Sequence, residues 1–286
     1  MTGNVKRIAR FSTGTVNIHP QHAYRGRAPV YWWALTSRRW LTDRPINVYV
    51  IEHRDGLVVF DTGQDRASVT DSGYFPGGPV GLFYRRLATF DIPESATFAA
   101  GLAGLGYETG DVTHAVVSHL HQDHIGGVGE IPHAELLVGE AEWRSLHRPF
   151  PEARGLLRDH IEIPGLRWSP VPMTALAATA DAERLAPFTA AADLFGDGSL
   201  ILLPTPGHTP GSVSLLVRRT DGAPLLLVGD LTYDVHAFEA GRDGGVGRHR
   251  RLARSRRQVL ALKAALPGLT ILAAHDPAAA ALLPAG

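Results

Sequence analysis

The sequence has no cysteine among its 286 residues. This absence excludes disulfide bonds, thiolate metal sites and a cysteine nucleophile, so any metal site must be built from His, Asp and Glu side chains. The 14 histidines are enough for such a site. No apolar run approaches the length of a membrane span, and none of signal-peptide length follows the basic segment Met1–Phe11. We therefore expect a cytoplasmic protein with no membrane partner.

An excess of charge of either sign is also missing. Lys plus Arg and Asp plus Glu count 28 each, so no global field would draw the chain to nucleic acid or to an anionic membrane. Hydrophobic residues make up 44% and charged residues 20%, which is typical of a folded globular protein. No linker-like boundary interrupts the sequence, and we predict one domain over residues 1–286.

Strand and helix patterns alternate along both halves of the chain. Two apolar runs, Val48–Ile51 and Leu57–Phe60, are joined by an Asp-Gly turn and predict a β-hairpin that ends at Asp61. The further predicted elements are a helix over Ser95–Leu105, strands over Val112–Leu120 and Ala134–Val138, a helix over Glu140–Leu146, strands over Leu200–Pro204, Ser212–Val217 and Leu225–Val228, a helix over Arg254–Ala265 and a strand over Thr270–Ala274. This order predicts an α/β fold in which helices cover sheets.

Three segments have less definite roles. Gly73–Gly81 is rich in Gly and Pro and is predicted to be a loop and a candidate pocket wall. Pro164–Asp181 has no clear period. The aromatic stretch of Tyr31, Trp32 and Trp33, with Trp40, is predicted chiefly to pack, although an apolar substrate pocket or a dimer contact would also use it.

The strongest chemical signal is one short cluster. Four metal-capable residues lie within six positions after the predicted strand Val112–Leu120: His119, His121, Asp123 and His124. The first two are two positions apart in extended backbone and project to one side, whereas the last two turn the other way and begin a second site. Buried imidazoles and carboxylates need partners, because an isolated buried polar group is costly. The cluster therefore favours a metal site over a polar turn without metal.

Three further candidates follow apolar runs and so can reach the same rim of a sheet: His208 in Pro-Gly-His-Thr-Pro-Gly, Asp230 in Val-Gly-Asp and His275 in Ala-Ala-His-Asp. With these residues the chain resembles the metallo-β-lactamase superfamily, whose H-x-H-x-D-H motif the cluster matches. The resemblance extends to Asp61-Thr62-Gly63 after the predicted hairpin. It implies an α/β fold of the four-layer αβ/βα sandwich type, with metals at one edge.

The resemblance also implies a dinuclear site with two sets of ligands and one bridging carboxylate. The sets are His119 with His121 and His208, and Asp123 with His124 and His275, and the bridge is Asp230. Two divalent ions of this kind activate water as a bridging hydroxide and polarise a substrate carbonyl, so no protein nucleophile is needed. Zinc is the expected metal, and Mn, Fe and Co are alternatives that an all-N/O site also accepts.

Within the superfamily the chain looks most like the quorum-quenching N-acyl-homoserine lactonases. The bridging residue is an aspartate, and Tyr233 stands three positions after Asp230, as in those enzymes. The resemblance implies a small-molecule lactone substrate and catalytic roles for Asp123, Asp230 and Tyr233, the last in stabilising the transition state or the leaving group. The alternative for Tyr233 is a core aromatic. Gln122 departs from the family, where an aromatic residue stands at this position.

Several alternatives remain at this stage. The hydrolase would act instead on another lactone or ester, such as a pyridoxolactone, or on a thioester in the manner of glyoxalase II. The arginine-rich run Arg248–Arg257 would suit a nucleic-acid processing enzyme, but a solvated helix face explains it more simply, and we expect no nucleic-acid partner. A non-catalytic binding protein is the third class, and a homodimer stays open.

Two further assignments depend on the surroundings of each side chain. Asp61 is either a turn former or a residue that orients a histidine ligand. The nine histidines outside the ligand set, including His19, His22, His114, His133 and His236, are predicted to lie on the surface or to pack.

Overall fold

The computed structural model describes residues 4–176, 183–220 and 222–283. The last part of the predicted segment Pro164–Asp181 lies outside the described residues. The first of two β-sheets has seven strands in the order β4-β1-β2-β3-β5-β6-β7. These strands are β1 Val5–Ile18, β2 Leu41–His53, β3 Gly56–Phe60, β4 Ala88–Asp91, β5 Val112–Val117, β6 Glu135–Gly139 and β7 Arg167–Val171. From β3 to β7 neighbouring strands run parallel.

The second sheet has six strands in the order β13-β12-β11-β10-β9-β8. They are β8 Thr174–Ala175, β9 Ala190–Asp193, β10 Leu200–Pro204, β11 Val213–Val217, β12 Leu225–Leu227 and β13 Thr270–Leu272. Only β12 and β13 are parallel neighbours in this sheet, and the other pairs are antiparallel.

Along the chain, helices and short 3₁₀ turns alternate with the strands. The α-helices are α1 Pro20–Ala23, α2 Val30–Thr36, α3 Ala67–Thr70, α4 Gly78–Leu87, α5 Phe98–Gly104, α6 Gln122–Ile125, α7 Glu140–Leu146, α8 Arg158–Ile161, α9 Val235–Glu239, α10 His249–Ala265 and α11 Ala279–Leu282. Short 3₁₀ turns cover Glu94–Ala96, Thr109–Asp111, Val128–Glu130, Glu152–Arg154 and Gly229–Leu231. No helix of the described residues is long and apolar enough to cross a bilayer.

The two sheets pack face to face, and helices cover their outer faces. Strand residues alternate between the two sides, because successive side chains of a strand point in opposite directions. On β10, Leu200 and Leu202 point into the core between the sheets, whereas Ile201 and Leu203 pack with helix α10 on the outer face. On β2, Val48 and Val50 pack against the helices that cover the first sheet, and Tyr49 and Ile51 point between the sheets. The four layers are therefore helix, sheet, sheet and helix, as the resemblance predicted.

Most predicted elements are present, with several differences. Helix α5 begins only after Thr97, whose side chain accepts a hydrogen bond from the Ala100 N–H at 3.3 Å and caps the helix. Helix α10 begins at His249, five residues before the predicted start. The predicted loop Gly73–Gly81 gives way to helix α4 at Gly78. Strand β1, the longest of the first sheet, was not predicted.

The segment that begins at Pro164 also contains an unpredicted strand. Strand β7 pairs in parallel with β6 at the edge of the first sheet. Its residues are only half-buried and include Pro170, which an edge strand tolerates because one side of its backbone has no partner. Partial burial at an edge does not require a regular apolar pattern, and for this reason no pattern in the sequence predicted the strand.

The carboxyl ends of five strands meet at one rim shared by both sheets. Strands β3 and β5 of the first sheet and β10, β12 and β13 of the second run into this rim. The sheets are joined there by backbone hydrogen bonds from Val213 N to Ser118 O at 3.0 Å and from Asn47 N to Ala274 O at 2.9 Å. Loops that leave these strands are therefore held close together.

Substituting Leu202→Ala should destabilise the fold by about 2–5 kcal/mol, because this fully buried side chain fills the space between the sheets and its loss leaves a cavity. Chemical denaturation followed by circular dichroism measures the change in the free energy of unfolding. The matched control is Leu282→Ala, at a side chain that is 54% exposed. Equal effects of the two substitutions would contradict the packing described for the sandwich.

Candidate metal centre

The loops at the shared rim bring together all seven side chains singled out as ligand candidates. Three groups have ligand atoms within 4.8 Å of one another, and they share members. The groups are His119 with His121 and His208, Asp123 with His124 and His275, and His119 with His124 and Asp230. The sequence cluster and the three downstream residues thus form one continuous centre.

In the first group, each ring of the sequence cluster is held by one nitrogen and presents the other. His119 Nδ1 lies 3.0 Å from Ser118 Oγ, and His121 Nε2 lies 3.3 Å from the carbonyl oxygen of Arg154. The free His121 Nδ1 faces His208 Nε2 at 2.9 Å. Fixing one imidazole nitrogen orients the other, which is how proteins aim histidine ligands at metals.

In the second group, both histidines are anchored in the same way. His124 Nδ1 donates to Asp61 Oδ2 at 2.8 Å, and His275 Nδ1 donates to the carbonyl oxygen of Pro45 at 2.9 Å. The Nε2 atom of His275 lies 3.4 Å from Asp123 Oδ2. Of the two readings of Asp61, the structure supports the orienting one, since its other oxygen also accepts the Ser118 N–H at 2.7 Å.

The Asp230 carboxylate lies between the two groups. Its Oδ1 atom is 3.3 Å from the Nε2 atoms of both His124 and His275, whereas Oδ2 is 3.4 Å from His208 Nε2. Each oxygen therefore faces a different group, which is the arrangement that a bridging ligand requires. Tyr233 donates its hydroxyl hydrogen to Oδ2 at 2.6 Å.

The buried polar atoms of the centre fit a cation. Five of them have no hydrogen-bond partner among the described residues: His119 Nε2, His124 Nε2, His208 Nδ1, Asp230 Oδ1 and His275 Nε2. Unpaired buried polar atoms are rare in proteins because each loses its hydration without compensation. Four of the five are the inward atoms of the groups described above, and neutral imidazole nitrogen and carboxylate oxygen are the donors that zinc prefers when no thiolate is present.

The pKa values of two histidines of the first group, His119 and His208, are displaced in the opposite direction to that of His275 in the second group. Burial lowers the pKa of His119 well below its usual range and that of His208 to about 3. Burial also acts on His275, but the carboxylates of Asp230 and Asp123 outweigh it and raise this pKa to about 9. The second group, with its carboxylates, thus attracts positive charge strongly, as a divalent cation site must.

Neighbouring charges displace the pKa of the His124 imidazole strongly. Burial alone would lower its pKa, yet the Asp61 carboxylate and then that of Asp230 raise it well above the usual value. Conversely, burial would raise the pKa of Asp230, but the neighbouring His275 and His124 rings hold it well below the usual range. Both directions show that the opposite charges of these buried groups stabilise each other.

A fully buried glutamate holds the two loops of the first group together. Glu142 on helix α7 accepts hydrogen bonds from Leu120 N at 3.2 Å, from Thr209 Oγ1 at 2.7 Å and from Gly211 N at 3.0 Å. Leu120 lies between two of the motif histidines, and Thr209 follows His208 directly. Glu142 therefore fixes the distance between the loops that carry the three imidazoles.

A buried arginine likewise holds together the two loops that carry Tyr233 and His275. Arg44 Nη1 donates to the carbonyl oxygen of Tyr233 at 2.8 Å and to that of His275 at 3.4 Å. It therefore ties the segment after β12 to the segment after β13. Neither Glu142 nor Arg44 was singled out from the sequence, because an isolated charged residue gives no signal until the fold buries it.

A cavity opens over the centre. The ligands His121, Asp123, His208, Asp230 and His275 line its floor. Its wall consists of apolar and polar side chains from β1, α4 and β4 and the adjoining segments: Val16, Ile18, His22, Tyr84, Leu87, Ala88, Phe90, Gln122, Tyr233 and Val246. None of the residues 73–81 lines the cavity, so the predicted pocket wall is not formed by that segment, and helix α4 contributes Tyr84 and Leu87 instead.

Two polar side chains of the wall have no internal partner. The Gln122 amide oxygen and His22 Nδ1 are buried and form no hydrogen bond among the described residues. The His22 ring meets the Tyr233 ring edge-on, with centroids 5.2 Å apart. His22 was expected on the surface or in simple packing, and its position on the cavity wall corrects that expectation. Its sequence neighbours carry no motif, so only the fold could reveal it.

The aromatic stretch does not line the cavity. Trp33 is buried beside His19 and His22, and Trp40 stacks on the His19 ring at 4.0 Å. Tyr31 and Trp32 are exposed. The prediction that these residues chiefly pack thus holds for Trp33 and Trp40, and other residues line the cavity.

The arginine run lies on helix α10. Leu252, Ser255 and Val259 form the buried side of this helix, so its arginines point mostly outward. Arg256 pairs with Asp243 at 2.7 Å. This is the solvated helix face that was preferred from the sequence.

Comparisons with known proteins show the family of the chain. The profile of the Metallo-beta-lactamase superfamily matches residues 41–275. N-acyl homoserine lactonase AttM of Rhizobium radiobacter is 32% identical over 196 residues, which are 68% of this chain and 68% of that protein. N-acyl homoserine lactonase AttM of Azorhizobium caulinodans is 30% identical over 235 residues, which are 82% of each chain.

Solved structures share the fold. An N-acyl homoserine lactone hydrolase, with N-hexanoyl-L-homoserine bound at its catalytic metal center, aligns with a TM-score of 0.74 and 22% identity over 96% of this chain and 94% of its own. AidC, a dizinc quorum-quenching lactonase, aligns with a TM-score of 0.60 and 17% identity over 96% and 91%. The profile spans most of the sequence, and relatives at 30–32% identity cover two thirds or more of it. The chain therefore belongs to the metallo-beta-lactamase superfamily.

Proposed function

We propose that this protein is a dinuclear metal-dependent lactonase that opens the ring of N-acyl-homoserine lactones. The observation that carries the proposal is the Asp230 carboxylate, whose two oxygens face two different groups of ligands while one of them also holds the Tyr233 hydroxyl. Similarity to the AttM lactonases supports the choice of substrate. Residues 1–286 would act as one domain, because the ligands come from both sheets.

We infer that each group of ligands holds one divalent ion, with zinc as the first choice. His119, His121 and His208 would hold one, Asp123, His124 and His275 the other, and Asp230 would contact both. Two such ions supply an activated water and polarise the lactone carbonyl. A cytoplasmic location remains the expectation, and the substrate is expected to be a small molecule.

The protein side chains would position the substrate and move protons. Burial, and next the Asp230 carboxylate, raise the pKa of Tyr233 well above its usual value, so its hydroxyl stays a hydrogen-bond donor throughout the neutral range. That donor would stabilise the negative charge that develops on a lactone oxygen. Asp123 has a more accessible side chain than Asp230, at 17% against 4%, and is the carboxylate that would carry a proton to the leaving oxygen.

The cavity wall suits a substrate with an apolar tail and a polar head. Leu87, Ala88 and Phe90 offer apolar contacts, while the unpaired Gln122 amide lies where relatives have an aromatic residue. An acyl chain with an amide group meets both requirements. Gln122 would therefore contact the polar part of the acyl group and not a long alkyl chain.

The proposed activity predicts chelator-sensitive opening of N-acyl-homoserine lactones. Zinc-loaded protein should hydrolyse a panel of short to long acyl chains, and chelator-treated protein should not, because the water is activated only by bound ions. Asp230→Ala should abolish turnover, since it removes the carboxylate that both groups share. Proton release in a weakly buffered indicator assay measures the reaction.

The rival substrates are tested in the same assay. The protein could hydrolyse a pyridoxolactone or a glyoxalase II thioester and none of the N-acyl-homoserine lactones. That result would show that the proposed substrate is wrong and that the protein is still a hydrolase. Unchanged activity of Asp230→Ala would overturn the dinuclear site itself.

Substituting Tyr233→Phe should lower kcat by about 10²-fold while leaving the bound metal at two equivalents, because the hydroxyl donor is lost and no metal ligand is removed. Steady-state kinetics and metal analysis of the same preparation check both statements. The matched control is Tyr49→Phe, a buried tyrosine whose hydroxyl donates to the Ala273 carbonyl at 2.8 Å and does not line the cavity. A Tyr233→Phe enzyme with full activity would reduce Tyr233 to a packing residue.

Substituting Glu142→Gln should weaken zinc binding by about 10–100-fold, the usual effect of losing an outer partner of metal ligands. An amide has only one acceptor oxygen, so at least one of the three donors around Glu142 would face an N–H group. Competition with a chromogenic chelator measures the affinity. Glu140→Gln, an exposed glutamate on the same helix, is the control and should bind zinc as the wild type does. Equal affinities of all three proteins would refute the role of Glu142.

A further inference from the structure

The exposed apolar side chains of this protein are concentrated on one surface. Eight large hydrophobic side chains of the described residues are exposed. Five of them lie on α2, on the segment that follows it and on α4: Tyr31, Trp32, Leu35, Trp40 and Leu82. We call these five residues the aromatic patch. Tyr31 and Trp32 are 65% and 66% exposed, which is unusual for residues of this size unless they contact something.

The patch is held in place from below. Trp33, the inward neighbour of Trp32, is buried against the rings of His19 and His22. Helix α2 also packs against α4, which carries Leu82. Tyr31, Trp32, Leu35 and Leu82 therefore lie on helices whose inner sides are fixed, whereas Trp40 also stacks on the His19 ring.

The two segments that carry the patch, residues 19–41 and helix α4, contain basic residues and no acidic one. The first acidic residue of the chain is Asp43, so the whole stretch from His19 to Leu41 contains arginines and no carboxylate. Helix α4 adds two more arginines near its end. The six are Arg25, Arg27, Arg38, Arg39, Arg85 and Arg86. All six are exposed, and none forms an ion pair with a carboxylate of residues 4–176, 183–220 and 222–283. The equal numbers of basic and acidic residues over the whole chain conceal this local excess of arginine.

This combination selects among the possible occupants of the patch. A second copy of the chain, seated patch to patch, would bring two sets of six arginines together, and like charges oppose such pairing. An anionic bilayer instead offers phosphate groups to the arginines and an interfacial zone in which tryptophan and tyrosine rings are favoured. The cytoplasmic leaflet carries the matching negative potential.

The patch also adjoins the cavity. Helix α4 directs Tyr84 and Leu87 to the cavity wall and exposes Leu82 and both of its arginines on the outside. We propose that the aromatic patch and its six arginines dock the protein on the surface of an anionic bilayer, although the balanced charge of the whole chain predicted no membrane partner. Acylated lactones that partition into the lipid would then enter the cavity beside the docked surface. This second statement rests on the proposed function, whereas the docking itself does not.

Vesicle sedimentation without any substrate tests the docking. The full chain should sediment with vesicles of phosphatidylcholine and phosphatidylglycerol in equal parts, and only weakly with phosphatidylcholine alone. Binding should fall as salt rises, because the arginines contribute through screened charge. Two double variants, Tyr31→Ala with Trp32→Ala and Arg38→Gln with Arg39→Gln, should each bind the anionic vesicles about ten-fold or more weakly.

Matched controls keep the test specific. Arg250→Gln with Arg251→Gln removes two exposed arginines from helix α10, and Leu282→Ala removes an exposed apolar side chain elsewhere. Both should bind vesicles as the wild type does. Hydrolysis of a short-chain, water-soluble lactone should be the same in all variants, since none of these residues lines the cavity, and this activity also reports that each variant is folded.

Three results would overturn the proposal. One is equal sedimentation with neutral and anionic vesicles, and another is no sedimentation of the wild type at low salt. The third is a dimer in sedimentation equilibrium that the Tyr31→Ala, Trp32→Ala variant dissociates, because the patch would then belong to a second copy. Failure of the lactonase activity with intact vesicle binding would discard the substrate and leave the docking standing.

Discussion

Five histidines and two aspartates share one rim of the sandwich, and their burial is the constraint on which the site depends. Imidazole nitrogens and carboxylate oxygens that lose water must gain partners of opposite character. The outward atoms of His119, His121, His124 and His275 gain them from the protein, through a serine hydroxyl, backbone carbonyls and Asp61. The inward atoms converge on one another, where a cation satisfies them together.

The two packed sheets hold these converging side chains in place. Strands β3 and β5 bring Asp61 and the histidine cluster to the rim, and β10, β12 and β13 bring the ligands from the second half of the chain. Loops alone would not hold separate segments within hydrogen-bond distance, because each loop would lose conformational entropy on closing. The strands, together with the buried charges of Glu142 and Arg44, meet that cost through the core and through backbone hydrogen bonds.

Helix α4 connects the chemistry with the outside of the molecule. Its inner side contributes Tyr84 and Leu87 to the cavity, and its outer side joins α2 in the aromatic patch. The outer side also carries Arg85 and Arg86, which are both exposed. The cavity and the surface on which we propose lipid docking are therefore two sides of one element, which would couple where the protein sits to what reaches its centre.

The sequence by itself determined the fold class and the candidate ligand residues. His119, His121, Asp123 and His124 stand so close together that their chemistry is visible without coordinates, and the apolar strand patterns predicted that helices cover sheets. It also located His208, Asp230 and His275, because each follows a buried strand. Such short-range signals depend only on the spacing of residues along the chain, which the sequence shows directly.

Only the tertiary structure decided which single residues support the centre and form its wall. Glu142, Arg44 and His22 carry no motif, since their importance arises from contacts across 67 residues in the Glu142–Thr209 bond and 189 in the Arg44–Tyr233 bond. The same holds for the patch, because a chain with balanced charge gives no hint that the exposed apolar side chains of α2 and of α4 are brought together by the packing of these two helices. Local patterns specify elements and ligands, whereas burial and long-range proximity exist only once the elements have packed.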